Sequence, residues 1–209
     1  LALGSSGVSL LELVSAYSVF TNHGFRVTPC FVTRVLDRNG NELEKFTPAK
    51  EMVIDPSTAF IMTSLLEGVV QNGTGWRAKA LNRPVAGKTG TTNDLYDAWF
   101  MGFTPEYTAG VWVGFDEEAS LGKFETGSKA ASPIWVGFME RILADKPAQV
   151  FEVPEGVVFT QIDATTGLLP VAESSKTIFE CFKEGTVPTE YAPRPGVATE
   201  PEQFFKMDM

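Results

Sequence analysis

Histidine, cysteine and long apolar runs are scarce in this chain of 209 residues, and each shortage excludes a class of protein. His23, Cys30 and Cys181 are too few for a structural zinc site, which typically draws four Cys or His ligands. No metal and no other cofactor are predicted. A single histidine also weakens any prediction of a Ser-His-Asp triad. No stretch approaches the roughly 18 consecutive apolar residues of a membrane-spanning helix.

Positive charge is also scarce, because 17 Lys and Arg stand against 26 Asp and Glu, giving a net charge of −9. Such a surface repels phosphate backbones and anionic lipid headgroups, so no nucleic acid partner is expected. The hydrophobic content of 44% is enough for a core in a chain of this length. The first residue is Leu1 rather than Met, and we expect the chain to be a segment of a longer protein.

Three segments have the periodicity of amphipathic helices, at 9–24, 55–73 and 132–143. The first begins with the capping-box pair Ser9 and Glu12. The second begins with Asp55 as the N-cap and Pro56 at the first helical position, and Ser132-Pro133 opens the third. We expect His23 to be solvated or to cap a helix end, and Cys30 and Cys181 to be two separate thiols.

Strand signals alternate with turn signals between and after the first two helices. A hairpin is predicted over 31–46, with Asn39-Gly40 in a type I′ turn that needs positive φ at both residues. Later β-like runs are joined by short polar segments, which favour an antiparallel meander over parallel crossovers. These runs are 84–91, 97–104 and 107–115. The fold class is therefore α+β, with helices flanking an antiparallel sheet.

The composition changes after residue 143, because seven of the 13 prolines lie from Pro147 onward. We place a domain boundary near Lys146, which gives domains 1–145 and 146–209. The apolar run at 157–162 predicts short strands within the second domain. The last fifteen or so residues are predicted to be mobile.

The tetrapeptide Lys88-Thr89-Gly90-Thr91 ends a predicted strand just before a turn. An exposed strand edge can offer a backbone N–H to an oxyanion. Lys88 supplies positive charge for a carboxylate, and Gly90 has no Cβ to block a substrate. Because side chains alternate along a strand, the hydroxyls of Thr89 and Thr91 share a face and can converge on one ligand group. On these residues alone, an ordinary strand end with a solvated lysine is an equal alternative.

The tetrapeptide and its surroundings resemble the C-terminal strands of bifunctional, class A penicillin-binding proteins. Lys-Thr-Gly is one of three motifs that recur in β-lactamases and penicillin-binding proteins. The resemblance extends in order over about residues 1–143, through 8–17, 87–94, 97–105, 111–116 and 131–135. It implies a penicillin-binding, β-lactamase-like transpeptidase fold, truncated at its N-terminal side.

The resemblance also implies an activity, the cross-linking of bacterial peptidoglycan. In that family a serine attacks the D-Ala-D-Ala bond of a stem peptide, releases D-Ala and passes the acyl group to an amine. β-Lactams acylate the same serine. Lys88 and Thr89 would hold the carboxylate of substrate or antibiotic, and the Thr91 hydroxyl would assist. The Thr91 backbone N–H would be one oxyanion-hole donor, and Gly90 would admit the ligand backbone.

The nucleophile is where this chain departs from the family. The Ser-x-x-Lys and Ser-x-Asn motifs should precede Lys88, and neither does, so we expect both upstream of Leu1. Ser120 and Lys123 have the first spacing, but they follow Lys88 in a glycine-containing loop. The nucleophile needs a lysine one helical turn away to take its proton. We therefore predict that this chain alone forms no acyl-enzyme.

The resemblance also implies partners and a location. The parent protein would be anchored in the bacterial inner membrane, with this part on its periplasmic side. The missing N-terminal part of the same protein is an expected partner, because the helices it supplies would cover apolar faces of this chain. Without it, we expect self-association.

Two other functions stay open at this point. A non-catalytic binding or structural module is suggested by the proline-rich tail and the apolar run at 157–162. A D,D-carboxypeptidase or β-lactamase of the same fold is the other alternative. The residues that separate those activities lie near the absent motifs, although the contexts of Trp99 and Trp112 favour the bifunctional transpeptidases.

Overall fold

The computed structural model describes residues 7–194. The segment predicted to be mobile, the last fifteen or so residues, lies outside this range. The chain divides into two compact units, Leu1–Glu155 and Gly156–Met209. The domain boundary predicted near Lys146 stays a prediction. Within 7–194, no helix is both long enough and apolar enough to cross a membrane.

The first unit opens with helix α1 (Leu10–Thr21), which begins as its capping box predicts. The Ser9 hydroxyl accepts the Glu12 N–H at 3.3 Å, and the Glu12 carboxylate accepts the Ser9 N–H at 2.8 Å. The Ser9 N–H and the Ser9 hydroxyl, which also donates to the Glu12 carboxylate at 2.7 Å, hold the pKa of Glu12 below its ordinary value. His23 follows the helix with φ 53°, and its half-exposed ring lies 4.0 Å from the Glu152 carboxylate. The position predicted for His23 at a solvated helix end is confirmed.

Four short strands follow α1, and the predicted hairpin is one of two antiparallel pairs. Only Gly40 in its turn has positive φ (87°), so the type I′ turn predicted at Asn39-Gly40 is wrong. The Asp37 carboxylate accepts the N–H groups of Asn39 at 2.7 Å and Asn41 at 2.9 Å, which stabilises a longer turn instead. The strands are β1 (Phe25–Val27), β2 (Arg34–Leu36), β3 (Glu42–Lys45) and β4 (Lys50–Met52), with β2 paired to β3 and β1 to β4.

The main sheet lies between the remaining helices. Helix α2 (Pro56–Asn72) begins at its predicted N-cap, where the Asp55 carboxylate accepts the Thr58 N–H at 3.0 Å. A 3₁₀ turn over Trp76–Leu81 leads into the sheet. The three strands form the predicted antiparallel meander in the order β5-β6-β7. They are β5 (Ala86–Thr91), β6 (Ala98–Phe103) and β7 (Thr108–Val113), followed by a π-helical turn (Gly127–Ala131) and helix α3 (Ser132–Leu143).

The core lies on both faces of this sheet. On one face the ring of Phe100 is 5.0 Å from that of Trp135 in α3, and both side chains are fully buried. On the other face Phe103 lies 6.4 Å from Phe20 in α1 and meets Phe151 edge-on at 5.7 Å. Helices thus flank an antiparallel sheet, and the predicted α+β class is confirmed.

The second unit is built on one antiparallel pair, β8 (Val157–Asp163) with β9 (Thr177–Lys183). The strand prediction for 157–162 is confirmed. Asp163 is buried, and its carboxylate accepts the N–H groups of Thr165 at 2.9 Å and Thr166 at 3.0 Å. A hydrogen bond from the Ser174 hydroxyl, together with those two N–H groups, lowers the pKa of Asp163. Cys30 and Cys181 are both free, as predicted.

Trp135→Ala tests which side chain fixes α3 to the sheet. We expect it to lower the free energy of unfolding by about 3–5 kcal/mol, because it leaves a cavity against Phe100. It also removes the Trp135 indole N–H bond to the Ala109 carbonyl (3.0 Å). Phe138→Ala on the same helix is the control, since Phe138 is 51% exposed and should change stability by less than about 1 kcal/mol. Equal losses in urea unfolding would contradict this packing.

Candidate functional site

The candidate site lies along the outer strand of the sheet, β5, which pairs only with β6 among the described residues. The Thr92 N–H bonds the Asp97 carbonyl across the two strands at 3.2 Å. Because backbone groups of an antiparallel strand alternate in direction, those of Thr92, Gly90 and Lys88 face β6. The N–H and C=O groups of Thr89 and Thr91 therefore face away from β6. We call that side of β5 the open edge.

Lys88 places its positive charge at this open edge. Its side chain is exposed, and its ammonium donates to the Thr89 carbonyl at 2.8 Å. No carboxylate lies within ion-pair distance of Lys88 in residues 7–194. The charge is thus held beside the outward N–H groups and is available to an anion, although the whole chain is acidic.

Thr89 and Thr91 share one face of β5, as predicted, and each hydroxyl meets a different neighbouring turn. The Thr89 Oγ1 lies 2.7 Å from the Thr74 Oγ1, in the loop that follows α2. The Thr91 Oγ1 accepts the Gly127 N–H at 3.0 Å, at the start of the π-helical turn. The open edge is therefore bordered by two turns that fix both threonine side chains.

Gly127 allows the π-helical turn to lie directly on the sheet, and Gly90 allows β5 to lie close to the Trp99 side chain. A Cβ on Gly127 would lie 2.3 Å from the Trp99 carbonyl oxygen and 2.4 Å from that of Gly90. A Cβ on Gly90 would lie 3.0 Å from the Trp99 Cβ. Both contacts are closer than a real Cβ tolerates without movement of the neighbours. The sequence predicts a role for Gly90 toward the ligand, but no local signal predicts the packing role of Gly127.

Ser120 and Lys123 do not form a nucleophile and base, as expected from their loop. Neither lies in a helix, and the Ser120 hydroxyl accepts the Gly122 N–H at 3.3 Å. Trp76 is 52% exposed, with the Arg77 guanidinium 4.5 Å from its ring centroid.

The carboxylates form no second site in the part of the chain that the structure describes. No three His, Cys, Asp or Glu side chains there lie close enough to hold a metal ion. Asp97 accepts the Trp112 indole N–H at 2.7 Å, which gives it a structural role in its turn. Burial in α2 raises the pKa of Glu67. Glu67 takes no part in the hydrogen bonds of the open edge described above.

Comparison with known protein families identifies the family of this chain. Residues 1–139 match the model described as the penicillin-binding protein transpeptidase domain. The chain belongs to the penicillin-binding protein transpeptidase family. Residues 153–194 match a second model, the C-terminal domain of penicillin-binding protein 1A. The predicted family is therefore confirmed, including its class A character.

Relatives of known name are similar over most of this chain. Penicillin-binding protein 1A of Aquifex aeolicus is 40% identical, over 90% of this chain and 26% of its own length. The Pseudomonas aeruginosa protein of the same name is 35% identical, over 90% of this chain and 29% of its own length. The crystal structure of Haemophilus influenzae penicillin-binding protein 1A superposes with a TM-score of 0.84 at 30% identity, over 92% of this chain and 34% of that one. The chain thus spans about a quarter of the length of these curated relatives.

Gly127→Ala tests whether the close approach of the π-helical turn holds the site together. We expect a loss of about 1–3 kcal/mol in unfolding free energy, because the new methyl group overlaps two backbone oxygens. Gly137→Ala in α3 is the control, since a Cβ there meets nothing within 4 Å. In a helix it should stabilise by about 0.5–1 kcal/mol. If thermal unfolding shows the two substitutions to be equally tolerated, the close approach is not a constraint.

Proposed function

We propose that this chain forms the strand side of the active site in a peptidoglycan D,D-transpeptidase. The observation that carries the proposal is the open edge of β5. It combines the charge of Lys88, which has no carboxylate partner within residues 7–194, with two fixed threonine hydroxyls and backbone N–H groups that point away from the sheet. Membership of the penicillin-binding family supports this reading of the edge.

The open edge suits the two groups that such a substrate presents. The terminal carboxylate of a D-Ala-D-Ala stem peptide would bind the Lys88 ammonium and the Thr89 hydroxyl, and the Thr91 hydroxyl would assist. The scissile carbonyl would accept the Thr91 backbone N–H, which stabilises the negative oxygen of the tetrahedral intermediate. Gly90 would let the ligand backbone approach the strand. A β-lactam would use the same groups through its own carboxylate.

The nucleophile would be a serine outside residues 1–209. Its Oγ would attack the carbonyl of the penultimate D-Ala and lose its proton to a neighbouring base, a lysine one helical turn away. The C–N bond then breaks, and the terminal D-Ala leaves with a proton on its nitrogen. The acyl group is transferred from the serine to an amine of a neighbouring stem peptide, which regenerates the hydroxyl. We place this chemistry on the periplasmic face of the bacterial inner membrane.

Fluorescent penicillin tests this proposal directly. This chain should not be labelled, whereas the natural longer protein that contains it should be labelled at a serine upstream. In that protein Lys88→Gln should slow acylation by about 10–100-fold, because a charged hydrogen bond contributes roughly 1.5–3 kcal/mol. Lys79→Gln is the matched control, since Lys79 is an exposed lysine of the 3₁₀ turn.

Each other outcome of the labelling has a distinct meaning. Labelling of the short chain would show that the serine lies within residues 1–209. No labelling of the longer protein would remove the proposed activity and leave a non-catalytic binding module. Equal effects of Lys88→Gln and Lys79→Gln would mean that Lys88 does not bind the carboxylate.

We also propose that the rest of the same transpeptidase domain covers part of this chain. Apolar side chains are exposed on α1, on α2 and on the β2–β3 hairpin, and the curated relatives are much longer than this chain. Large apolar patches on a soluble protein mark interaction surfaces. The side chains are Leu10, Leu11, Phe31, Leu43, Met62 and Leu65.

Light scattering after size-exclusion chromatography tests this second proposal. We expect this chain alone to elute as a concentration-dependent oligomer, and co-expression with the upstream part of the domain to give one defined complex. Leu11→Ser with Leu65→Ser should shift the chain alone toward monomer. A clean monomer of the unmodified chain at all concentrations would contradict the proposal.

A further inference from the structure

Three hydrogen bonds link both threonines of the open edge to the two turns beside it, and the backbone of 89–91 and of 127–128 closes them into a ring. Thr89 contacts Thr74 through their hydroxyls at 2.7 Å, and the Thr74 carbonyl accepts the Ser128 hydroxyl at 2.9 Å. Gly127, next to Ser128, donates its N–H to the Thr91 hydroxyl at 3.0 Å. We call these five residues the hydroxyl ring. It joins segments that are 15, 54 and 36 residues apart in sequence.

The hydroxyl ring leaves two protons to donate. Thr91 Oγ1 accepts from Gly127, so its own O–H is not used in that bond. Within the Thr74–Thr89 contact either oxygen can be the donor, and only one proton lies between the two oxygens. The other hydroxyl proton is therefore available whichever way the bond runs. If Thr74 donates, the Thr89 proton can point to a ligand at the open edge.

The backbone around Thr74 is anchored on both sides, which holds its hydroxyl next to that of Thr89. The glycines on either side of it both donate their N–H groups to the Val69 carbonyl, at 3.0 Å for Gly73 and 3.1 Å for Gly75. The carbonyl of Thr74 is fixed by Ser128, whose own carbonyl accepts the Arg77 guanidinium N–H at 2.9 Å. The loop is thus anchored to α2 on one side and to the π-helical turn on the other.

We propose that Thr74 is a positioning residue for carboxylate binding: it donates its hydroxyl proton to Thr89, so that the Thr89 proton is directed to the substrate. This inference rests on the proposed function, because the ligand is the carboxylate of a D-Ala-D-Ala peptide or of a β-lactam. A hydroxyl that already accepts a hydrogen bond is both oriented and more polarised as a donor. Thr74 itself need not touch the ligand.

The test compares substitutions at Thr74 in the natural longer protein, using the rate of acylation by benzylpenicillin. Thr74→Val keeps the shape of the side chain and removes the hydroxyl, and it should slow acylation about tenfold, the effect of one hydrogen bond near 1.4 kcal/mol. Thr74→Ser keeps the hydroxyl and should stay within about twofold of the unmodified protein. Thr108→Val is the control, because the buried Thr108 hydroxyl has no hydrogen-bond partner among the described residues.

Benzylpenicillin methyl ester separates positioning from a general loss of structure. The ester has no carboxylate, so its slower acylation, followed by intact mass, should be the same for Thr74→Val and the unmodified protein. Ser128→Ala, which removes the bond to the Thr74 carbonyl, should slow acylation by the free acid and not by the ester. An equal loss with acid and ester, or no loss with Thr74→Val, would overturn the proposal. If the unmodified protein itself is not acylated, the proposed function fails instead.

Discussion

The open edge depends on one close approach, that of the turn at Gly127 to the backbone of Gly90 and Trp99. No side chain other than hydrogen fits between them, because a Cβ on Gly127 would lie within 2.4 Å of two carbonyl oxygens. This contact brings the Gly127 N–H to the Thr91 hydroxyl and the Ser128 hydroxyl to Thr74. Packing therefore orders the site. The close approach of the two backbones fixes the positions of the polar groups.

The rigid parts of the fold support that contact from behind. The π-helical turn continues directly into α3, whose Trp135 is fully buried against Phe100 of the central strand. Phe100 is also the direct cross-strand neighbour of Thr89. The strand that presents the polar groups therefore lies on the same aromatic core that fixes the turn. Polar groups held in this way need little reorganisation when an anion binds beside them.

The sequence predicted those parts of the fold whose signals are local. Capping residues located α1 and α2, because a capping side chain bonds a backbone group three residues away. The Lys-Thr-Gly segment identified the strand, and period-two alternation placed Thr89 beside Thr91. The type I′ turn predicted at Asn39-Gly40 is wrong because the Asp37 carboxylate stabilises a longer loop than the dipeptide indicates.

The roles of Thr74, Gly127 and Ser128 could not be predicted in the same way. Their bonds connect residues 15 to 54 positions apart, so no local pattern distinguishes them from ordinary loop residues. The Gly-Thr-Gly sequence around Thr74 by itself indicates only an exposed loop. Once the chain is folded, the flanking glycines are seen to bring the loop back onto the end of α2.

An outer strand with outward N–H and C=O groups carries a risk as well as a function. Any extended segment of another protein could add to it as a further strand, which is how sheets aggregate. Here the strand is six residues long, it contains two glycines, and Lys88 holds a charge over the edge. The π-helical turn also contacts the strand at Thr91. The features proposed to bind a short anionic peptide thus also make this edge a poor template for the chain's own unfolded copies.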